Sequence, residues 1–292
     1  MTLATPSKRA APDGMADPPP LRDTLTRLGL TADKRFGQHF LLDLNICRKI
    51  ARIAGPLEDQ VVIEVGPGPG GLTRALLEAG AQVIAVEKDA RFAPALDDLA
   101  TNFPNRLTAL TTDALKLNET AMLRDYAGGI GARVVSNLPY NVGTALLLKW
   151  LLGPWRPEAM TLMFQKEVAL RIVAPAGGSD YGRLSVIAQT LCETRLVMEL
   201  PARAFTPPPK VASAVVNLRL RNERPDDRLV AALETVTGAA FGQRRKMLRS
   251  ALKQLGGEQL CRVAGVDANA RAETVPVPGF MALARAWLEQ SA

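Results

Sequence analysis

Short β-rich runs alternate with helical segments between residues 60 and 165, and this alternation limits the possible folds more than any other feature. The β-rich runs cover residues 61–65, 82–87, 107–111, 132–136 and 159–164, and helical patterns cover 70–79, 89–100 and 142–152. Strands that alternate with helices of this length predict an α/β fold with a doubly wound, mostly parallel sheet. Two later runs, 195–200 and 214–220, are expected to extend one edge of the sheet.

Beyond residue 222 the pattern becomes helical, with candidate helices at 226–241, 244–255, 259–264 and 279–289. The change predicts a main α/β domain over 31–221 and a small all-helical domain over 222–292. Residues 1–30 are rich in Ala, Pro and Thr without the apolar stretch of a signal peptide, so we expect a flexible tail. No apolar run approaches the roughly 20 residues of a membrane span, which predicts a soluble, cytoplasmic protein.

Histidine and cysteine usage excludes several kinds of site. His39 is the single histidine, so a His-rich metal site is impossible and a nucleophilic triad would need that one residue. Cys47, Cys192 and Cys261 lie far apart without C-x-x-C spacing, which indicates neither a disulfide framework nor a zinc site. We therefore expect no metal. The 36 Lys and Arg exceed the 29 Asp and Glu, and this net charge of +7 favours nucleic acid or an anionic surface as a partner.

A glycine-rich segment, E-V-G-P-G-P-G-G at 64–71, lies between the first predicted strand and helix. Glycines there allow a ligand to approach the backbone, and the free N–H groups at the helix start can bind its polar atoms. Gly66, Gly68 and Gly71 also satisfy the G-x-G-x-x-G dinucleotide pattern. A nicotinamide enzyme therefore remains possible on this segment alone.

Two carboxylates follow at the ends of the next strands. Glu87 ends the second strand, where a carboxylate can accept hydrogen bonds from both ribose hydroxyls and reject a 2′-phosphate. Asp113 follows the third strand and could accept a hydrogen bond from an adenine amino group. Both residues fit a nucleoside ligand, and both kinds of cofactor remain possible at this point.

The segment S-N-L-P-Y at 136–140 follows the fourth strand and separates these alternatives. Ligands of open α/β sheets bind at the carboxyl ends of the strands, so Asn137 and Tyr140 are expected beside the cofactor. The Asn137 side chain and the Leu138 carbonyl can accept hydrogen bonds from an exocyclic amine, and Tyr140 can stack on the base that carries it. Dehydrogenases do not need this arrangement.

From about Lys34 to Leu288 the chain resembles the small-subunit ribosomal RNA adenine N6,N6-dimethyltransferases, which use S-adenosylmethionine. The resemblance is carried by K-R-F-G-Q-H-F-L (34–41), E-V-G-P-G-P-G-G-L-T (64–73), N-L-P-Y (137–140), F-Q-K-E-V (164–168), Y-G-R-L-S-V (181–186), F-T-P-P-P-K-V-A-S-A-V-V (205–216), F-G-Q-R-R-K-M-L-R (241–249) and R-A-E-T-V (271–275). It implies a Rossmann-like class I methyltransferase sheet. The family usually has Asn where this chain has His39.

The resemblance also implies an activity and a set of site residues. The activity is dimethylation of two adjacent adenosines in a hairpin loop near the 3′ end of small-subunit (16S) rRNA during ribosome assembly. The implied cofactor contacts are Gln38, His39, Leu41, Gly66, Gly68, Glu87, Lys88, Asp113, Ala114 and Asn137. The implied catalytic residues are Asn137, Leu138, Pro139, Tyr140 and Phe205, with Tyr140 and Phe205 on either side of the extruded base.

A basic segment points to the RNA partner. Residues 219–253 contain nine basic and four acidic side chains. Arg244, Arg245, Lys246 and Arg249 fall within two turns of a predicted helix and are expected to form a phosphate-binding face. The expected partner is 16S rRNA in the assembling small subunit, bound by a monomer without membrane contact.

Two other functions remain open. One is N6-methylation of a large-subunit (23S) rRNA adenosine, as in the macrolide-resistance methyltransferases. The other is a ribosome-assembly or RNA-binding factor whose methylation activity is secondary or lost. The F-T-P-P-P-K-V and R-A-E-T-V blocks favour the small-subunit enzyme over the first alternative. Intact Glu87, Asp113 and N-L-P-Y argue against loss of activity.

Overall fold

A seven-stranded sheet lies at the centre of the protein. The computed structural model describes residues 18–33, 37–243 and 245–290. The strands are β1 (Phe40–Leu41), β2 (Val61–Val65), β3 (Gln82–Glu87), β4 (Leu107–Thr111), β5 (Ala132–Asn137), β6 (Ala159–Gln165), β7 (Cys192–Leu200), β8 (Phe205–Thr206) and β9 (Ser213–Leu220). The sheet has the order β4-β3-β2-β5-β6-β9-β7, while β1 and β8 form a separate antiparallel pair.

The sheet is parallel from β4 to β6 and antiparallel at one edge. β9 runs antiparallel to β6, and β7 runs antiparallel to β9. The predicted mostly parallel sheet and its extension by two later strands are therefore confirmed. In β2 all five residues are buried, and Val62 packs in one apolar cluster while Ile63 packs in another. A strand buried on both faces needs this continuous β-branched sequence.

The chain forms twelve helices within the described ranges, and helices cover both faces of the sheet. They are α1 (Leu21–Arg27), α2 (Leu44–Ile53), α3 (Gly71–Glu78), α4 (Ala93–Asn102), α5 (Glu119–Ala127), α6 (Gly143–Leu152), α7 (Lys166–Val173), α8 (Arg183–Leu191), α9 (Asp227–Gly242), α10 (Leu248–Ala251), α11 (Gly257–Val263) and α12 (Val277–Gln290). Leu76 of α3 packs on the side of Val62, and Trp150 of α6 packs on the side of Ile63. Within the described ranges, no helix is long and apolar enough to cross a membrane.

The four last helices surround an apolar cluster of their own. Val236, Leu248 and Phe280 are fully buried in this cluster. Tyr181, which precedes α8, joins it and donates a hydrogen bond to the Val275 carbonyl at 3.0 Å. The helical segment is therefore packed against the sheet region through the start of α8.

The structure differs from the flexible tail expected over residues 1–30. Residues 1–17 lie outside the described residues, but α1 is a helix within the predicted tail. Leu21, Leu25 and Leu28 follow the i, i+4, i+7 spacing of one helix face, and Leu21 is buried. A Cβ atom on Gly71 would lie 3.0 Å from Leu21 Cδ1, so α1 packs directly against the glycine-rich segment.

The helix predicted over 244–255 is also wrong in part. Arg244 lies outside the described residues, 245–247 are not helical, and α10 covers four residues. Met247 forms a bridge with Arg271, and the Leu248 N–H donates to the carbonyl of Ala270 at 2.8 Å. The backbone at 247–248 therefore pairs with residues 270–271, and this pairing prevents the first turn of the predicted helix from forming.

Candidate active site

The glycine-rich segment turns sharply between β2 and α3. Gly66, Gly68 and Gly70 have φ values of 71°, 53° and 85°, in the left-handed region that favours glycine. A Cβ atom on Gly66 would lie 3.0 Å from Cγ of Pro139 in the N-L-P-Y segment. Because Gly66 has no side chain, the turn can lie in close contact with the N-L-P-Y segment.

A cavity opens beside this turn at the carboxyl ends of β2, β3 and β5. It is lined by every residue predicted to contact the cofactor: Gln38, His39, Leu41, Gly66, Gly68, Glu87, Lys88, Asp113, Ala114 and Asn137. Leu138, Pro139 and Tyr140 line it as well. Parallel strands that end at one edge of a sheet bring these distant sequence positions together.

Glu87 is held at the cavity by two backbone groups. Its Oε2 accepts a hydrogen bond from Gly68 N at 3.0 Å, and its Oε1 accepts one from Asp89 N at 2.9 Å. Burial raises the pKa of the Glu87 carboxyl, and these backbone hydrogen bonds oppose the shift. Each carboxylate oxygen has a further lone pair, so Glu87 can still accept hydrogen bonds from a ligand.

Asp113 forms an ion pair at the same cavity. Its Oδ2 accepts a hydrogen bond from Lys88 Nζ at 2.9 Å, and its Oδ1 accepts one from Leu115 N at 3.0 Å. The Lys88 ammonium holds the pKa of Asp113 below its usual value. Asp113 is therefore an ionised acceptor, next to apolar lining from Ala114 and Leu115.

Glu64 lines the cavity and was not among the predicted site residues. It is 1% exposed, and its Oε2 atom has no hydrogen-bond partner among the described residues. Burial raises the pKa of Glu64 to about 8, and the nearby Glu87 charge adds to the shift. The sequence signal was a carboxylate inside the otherwise apolar strand V-V-I-E-V.

The raised pKa of Glu64 predicts a pH-dependent stability. A carboxyl that protonates more easily when folded contributes stability that is fully present below its unfolded pKa and is lost as the pH rises toward about 8. Glu64→Gln stays neutral, so it should be more stable than the parent at pH 8, by about 3 kcal/mol as an order of magnitude. Urea unfolding at pH 5, 6.5 and 8 measures the difference, which should shrink toward pH 5. An equal difference at all three pH values contradicts the shift.

The charges that line the cavity suit a cationic nucleoside better than a dinucleotide. The acidic groups that carry this charge are those of Glu87 and Asp113, and the lysine, Lys88, is paired with Asp113. A pyrophosphate would be repelled by such a lining, whereas a sulfonium or an ammonium group would be attracted.

The N-L-P-Y segment is fixed from several sides. Asn137 Nδ2 donates a hydrogen bond to the carbonyl oxygen of His39 at 3.3 Å. Ser136 Oγ donates to the Val65 carbonyl at 2.6 Å, which ties the end of β5 to β2. The Tyr140 hydroxyl lies 2.5 Å from Ser213 Oγ, a partner that no sequence motif indicates. Tyr140 therefore has its hydroxyl occupied and its ring beside the cavity.

The segment before β1 is fixed by contacts of its side chains. The Gln38 amide is engaged at both ends, because Oε1 accepts from Asp33 N at 2.8 Å and Nε2 donates to Asp89 Oδ2 at 3.0 Å. Gln38 thus braces the cavity wall. The imidazole of His39 lies next to Tyr140, with ring centroids 5.2 Å apart and planes inclined at 34°.

Phe205 is not where the stacking prediction needs it. It is 3% exposed, packs in the apolar cluster with Leu41 and does not line the cavity. Antiparallel pairing of β1 with β8 places Phe205 opposite Leu41. The structure therefore brings together four of the five predicted catalytic residues and leaves Phe205 in the core.

Three of the four predicted RNA-binding side chains are exposed but do not form one helix face, and the fourth, Arg244, lies outside the described residues. Arg245 and Lys246 lie in the turn before α10, and Arg249 lies within α10. None of these three is ion-paired with a carboxylate in the described part of the chain. They are three accessible cations at the surface of the helical segment.

Known proteins are similar to most of this chain. The chain is 63% identical over 270 residues to the ribosomal RNA small subunit methyltransferase A of Phenylobacterium zucineum. The aligned region covers 92% of this chain and 93% of that protein. It is 64% identical over 257 residues to the protein of the same name from Caulobacter vibrioides, with 88% and 98% covered.

Solved structures share the fold. A dimethyladenosine transferase from Plasmodium falciparum has a TM-score of 0.69 at 23% identity, with 84% of this chain and 96% of that chain covered. The 23S rRNA methyltransferase ErmE has a TM-score of 0.65 at 26% identity, with 85% and 98% covered. The methyltransferase fold implied by the sequence motifs is confirmed. Residues 29–287 match the family described as ribosomal RNA adenine dimethylase, and the chain belongs to that family.

Proposed function

We propose that this rRNA adenine dimethylase acts on the RNA of an assembling small ribosomal subunit, at two adjacent adenosines in a hairpin loop near its 3′ end. Its identity of 63% and 64% to small-subunit methyltransferases, against 26% to a 23S rRNA methyltransferase, supports the small subunit. It is an S-adenosylmethionine-dependent enzyme.

The position of Asn137 carries the proposed chemistry. When bound, S-adenosylmethionine supplies an electrophilic methyl group. The task of the protein is then to hold adenine N6 in line with that methyl group. Because Asn137 Nδ2 donates to the His39 carbonyl, Oδ1 is the amide atom left to accept a hydrogen bond from N6–H. The Leu138 carbonyl is proposed as the second acceptor.

Two hydrogen-bond acceptors beside the adenine amine would favour methyl transfer by orienting its lone pair. The adenine amine is a weak nucleophile because its lone pair is delocalised into the ring. Hydrogen bonds from N6–H to Asn137 and Leu138 would direct the lone pair toward the methyl group and strengthen as positive charge develops. One N6–H remains after the first transfer, so a second transfer can use the same site.

The proposed cofactor site uses the carboxyl groups of the cavity. Glu87 would accept from the ribose hydroxyls and Asp113 from the adenine amino group. Tyr140 would supply the stacking surface for the target base. Its ring is part of the lining, and Ser213 anchors its hydroxyl.

The substrate assignment is tested with ribosomal subunits from a strain that lacks the modification. Immature small subunits and large subunits are incubated separately with the protein and labelled S-adenosylmethionine, and the products are mapped by primer extension and mass analysis. We expect two adjacent dimethyladenosines in small-subunit RNA. Label in large-subunit RNA alone would replace this proposal with the 23S function, and no label in either would favour an assembly factor.

Glu87→Ala is expected to weaken S-adenosylmethionine binding by about 10- to 100-fold, because a charged acceptor is lost from the cavity. The substitution also leaves the N–H groups of Gly68 and Asp89 without their partner, so thermal unfolding is measured alongside calorimetry. Glu87→Gln keeps one acceptor oxygen and the side-chain volume, and should show an intermediate loss. Unchanged affinity in a folded Glu87→Ala protein contradicts the assignment, as does tight binding of a nicotinamide dinucleotide.

We propose the helical segment 222–292 as an RNA-binding unit. Arg245, Lys246 and Arg249 are exposed there, and double-helical RNA is recognised mainly through its shape and phosphates. Phosphate contacts of this kind release counterions, so the affinity that they contribute falls as salt is added.

Arg249→Glu is therefore expected to weaken RNA association and to reduce its salt dependence by about one counterion. Arg124→Glu is the matched control, because it makes the same charge change at a side chain that is 74% exposed on α5. Binding to small-subunit RNA is measured across a salt series, and cofactor affinity should not change in either variant. Equal losses in both would mean that net charge alone controls binding and that Arg249 makes no phosphate contact.

A further inference from the structure

His39 reaches three parts of the proposed active site through three different groups. Its carbonyl oxygen accepts the hydrogen bond from Asn137 Nδ2, and its Nδ1 lies 2.8 Å from the carbonyl oxygen of Pro207. Its ring lies against Tyr140, with centroids 5.2 Å apart. In the described part of the chain, the imidazole is the aromatic ring in contact with Tyr140, while Phe205 is buried elsewhere.

The contact with Pro207 fixes the imidazole itself. A carbonyl oxygen can only accept, so Nδ1 must carry the proton and donate it to this bond. Pro207 is followed by two further prolines, whose rings restrict the backbone to few conformations. The ring of His39 is thus anchored to a stiff loop.

The anchored imidazole restrains Tyr140 from one side. The Tyr140 hydroxyl is held by Ser213, and this bond alone leaves the ring free to rotate about the axis through the hydroxyl. The His39 ring, inclined at 34° to the Tyr140 ring with centroids 5.2 Å apart, adds a second contact that restricts this rotation. Asparagine, the usual family residue at this position, has no ring to make this contact.

We propose that the His39 imidazole is a positioning residue that sets the plane of Tyr140, and with it the surface on which the target adenine stacks. The inference rests on the proposed role of Tyr140 in base stacking. It assigns to this chain a packing interaction that an asparagine in the same place does not provide.

Two substitutions separate the ring from the hydrogen bond. His39→Asn keeps a side-chain donor near Pro207 and removes the ring, whereas His39→Phe keeps a ring and removes the donor. Single-turnover methyl transfer to immature small subunits is measured at saturating S-adenosylmethionine and at a temperature where both variants are folded. We expect His39→Asn to be slower by about tenfold and His39→Phe to stay within about threefold of the parent.

The opposite ranking, with His39→Phe slow and His39→Asn normal, overturns the inference, because the bond to Pro207 would then be the important contact. A His39→Asn rate that equals the parent rate at saturating S-adenosylmethionine and is lower only below saturation also overturns it, since His39 would then act on cofactor binding. If the parent protein itself does not methylate small subunits, the proposed function fails. An active parent that is matched by His39→Asn leaves that function standing and refutes the role of the ring.

A double-substitution experiment shows whether His39 acts through Tyr140. In a Tyr140→Ala background the ring to be positioned is missing, so adding His39→Asn should change the rate by less than about twofold. The same tenfold loss in both backgrounds would show that His39 acts independently of Tyr140 and overturns the inference.

Discussion

Replacing Asn137 with alanine is expected to slow single-turnover methyl transfer by about 100-fold or more, while RNA affinity stays within about twofold. The substitution removes the acceptor that is proposed to orient N6–H, whereas RNA binding is spread over many phosphate contacts. The rate is measured with immature small subunits at saturating S-adenosylmethionine, and RNA affinity is measured in the same buffer.

Asn141→Ala is the matched control for this prediction. Asn141 is exposed at the same cavity, and no hydrogen bond to another described residue involves its side chain. We expect its rate to stay within about threefold of the parent. A fully active Asn137→Ala protein would mean that N-L-P-Y is only a structural turn, and the proposed chemistry would fail at its central residue.

Tyr140→Ala is expected to lower the same rate by roughly 10- to 100-fold, because one aromatic surface contributes about 1 to 3 kcal/mol to binding of an unstacked base. Tyr140→Phe keeps the ring and should retain much of the activity. The structure adds that phenylalanine leaves the buried Ser213 hydroxyl without its partner, so a loss of a few fold is expected.

Ser213→Ala provides the second half of this comparison. It removes the same hydrogen bond from the other side and leaves the Tyr140 ring intact, so its rate should match that of Tyr140→Phe within about twofold. Single-turnover rates are compared after thermal unfolding has shown that each variant is folded. If Tyr140→Phe is as inactive as Tyr140→Ala, the hydroxyl is essential and stacking does not explain the role of Tyr140.

Local sequence was sufficient to locate the strands that form the site. β2, β3 and β4 begin and end where the β-rich runs begin and end. In β2 and β3 the reason is that a strand buried on both faces needs a continuous apolar sequence. Helices α2, α5, α7 and α8 had no counterpart in the prediction. They are eight to ten residues long, and a periodicity of barely two turns is hard to distinguish from an irregular segment.

Tertiary contacts decided the points at which the prediction failed. Phe205 follows the expected F-T-P-P-P motif, but pairing of β1 with β8 buries it opposite Leu41. Residues 245–247 have a helical pattern, but they do not form a helix because Met247 pairs with Arg271 in a β-bridge. In both cases a partner more than 20 residues away competes with the local preference.

The sequence by itself determined the family, the sheet and which residues meet at its carboxyl edge, because these depend on strand order and on short motifs. Only the tertiary structure decided how those residues are held. The raised pKa of Glu64 comes from burial by other segments, and the occupied amide of Gln38 depends on Asp33 and Asp89. The placement of His39 against Tyr140 joins positions 101 residues apart in the chain. Burial and contacts between distant segments arise only when the chain is folded, so no local pattern contains them.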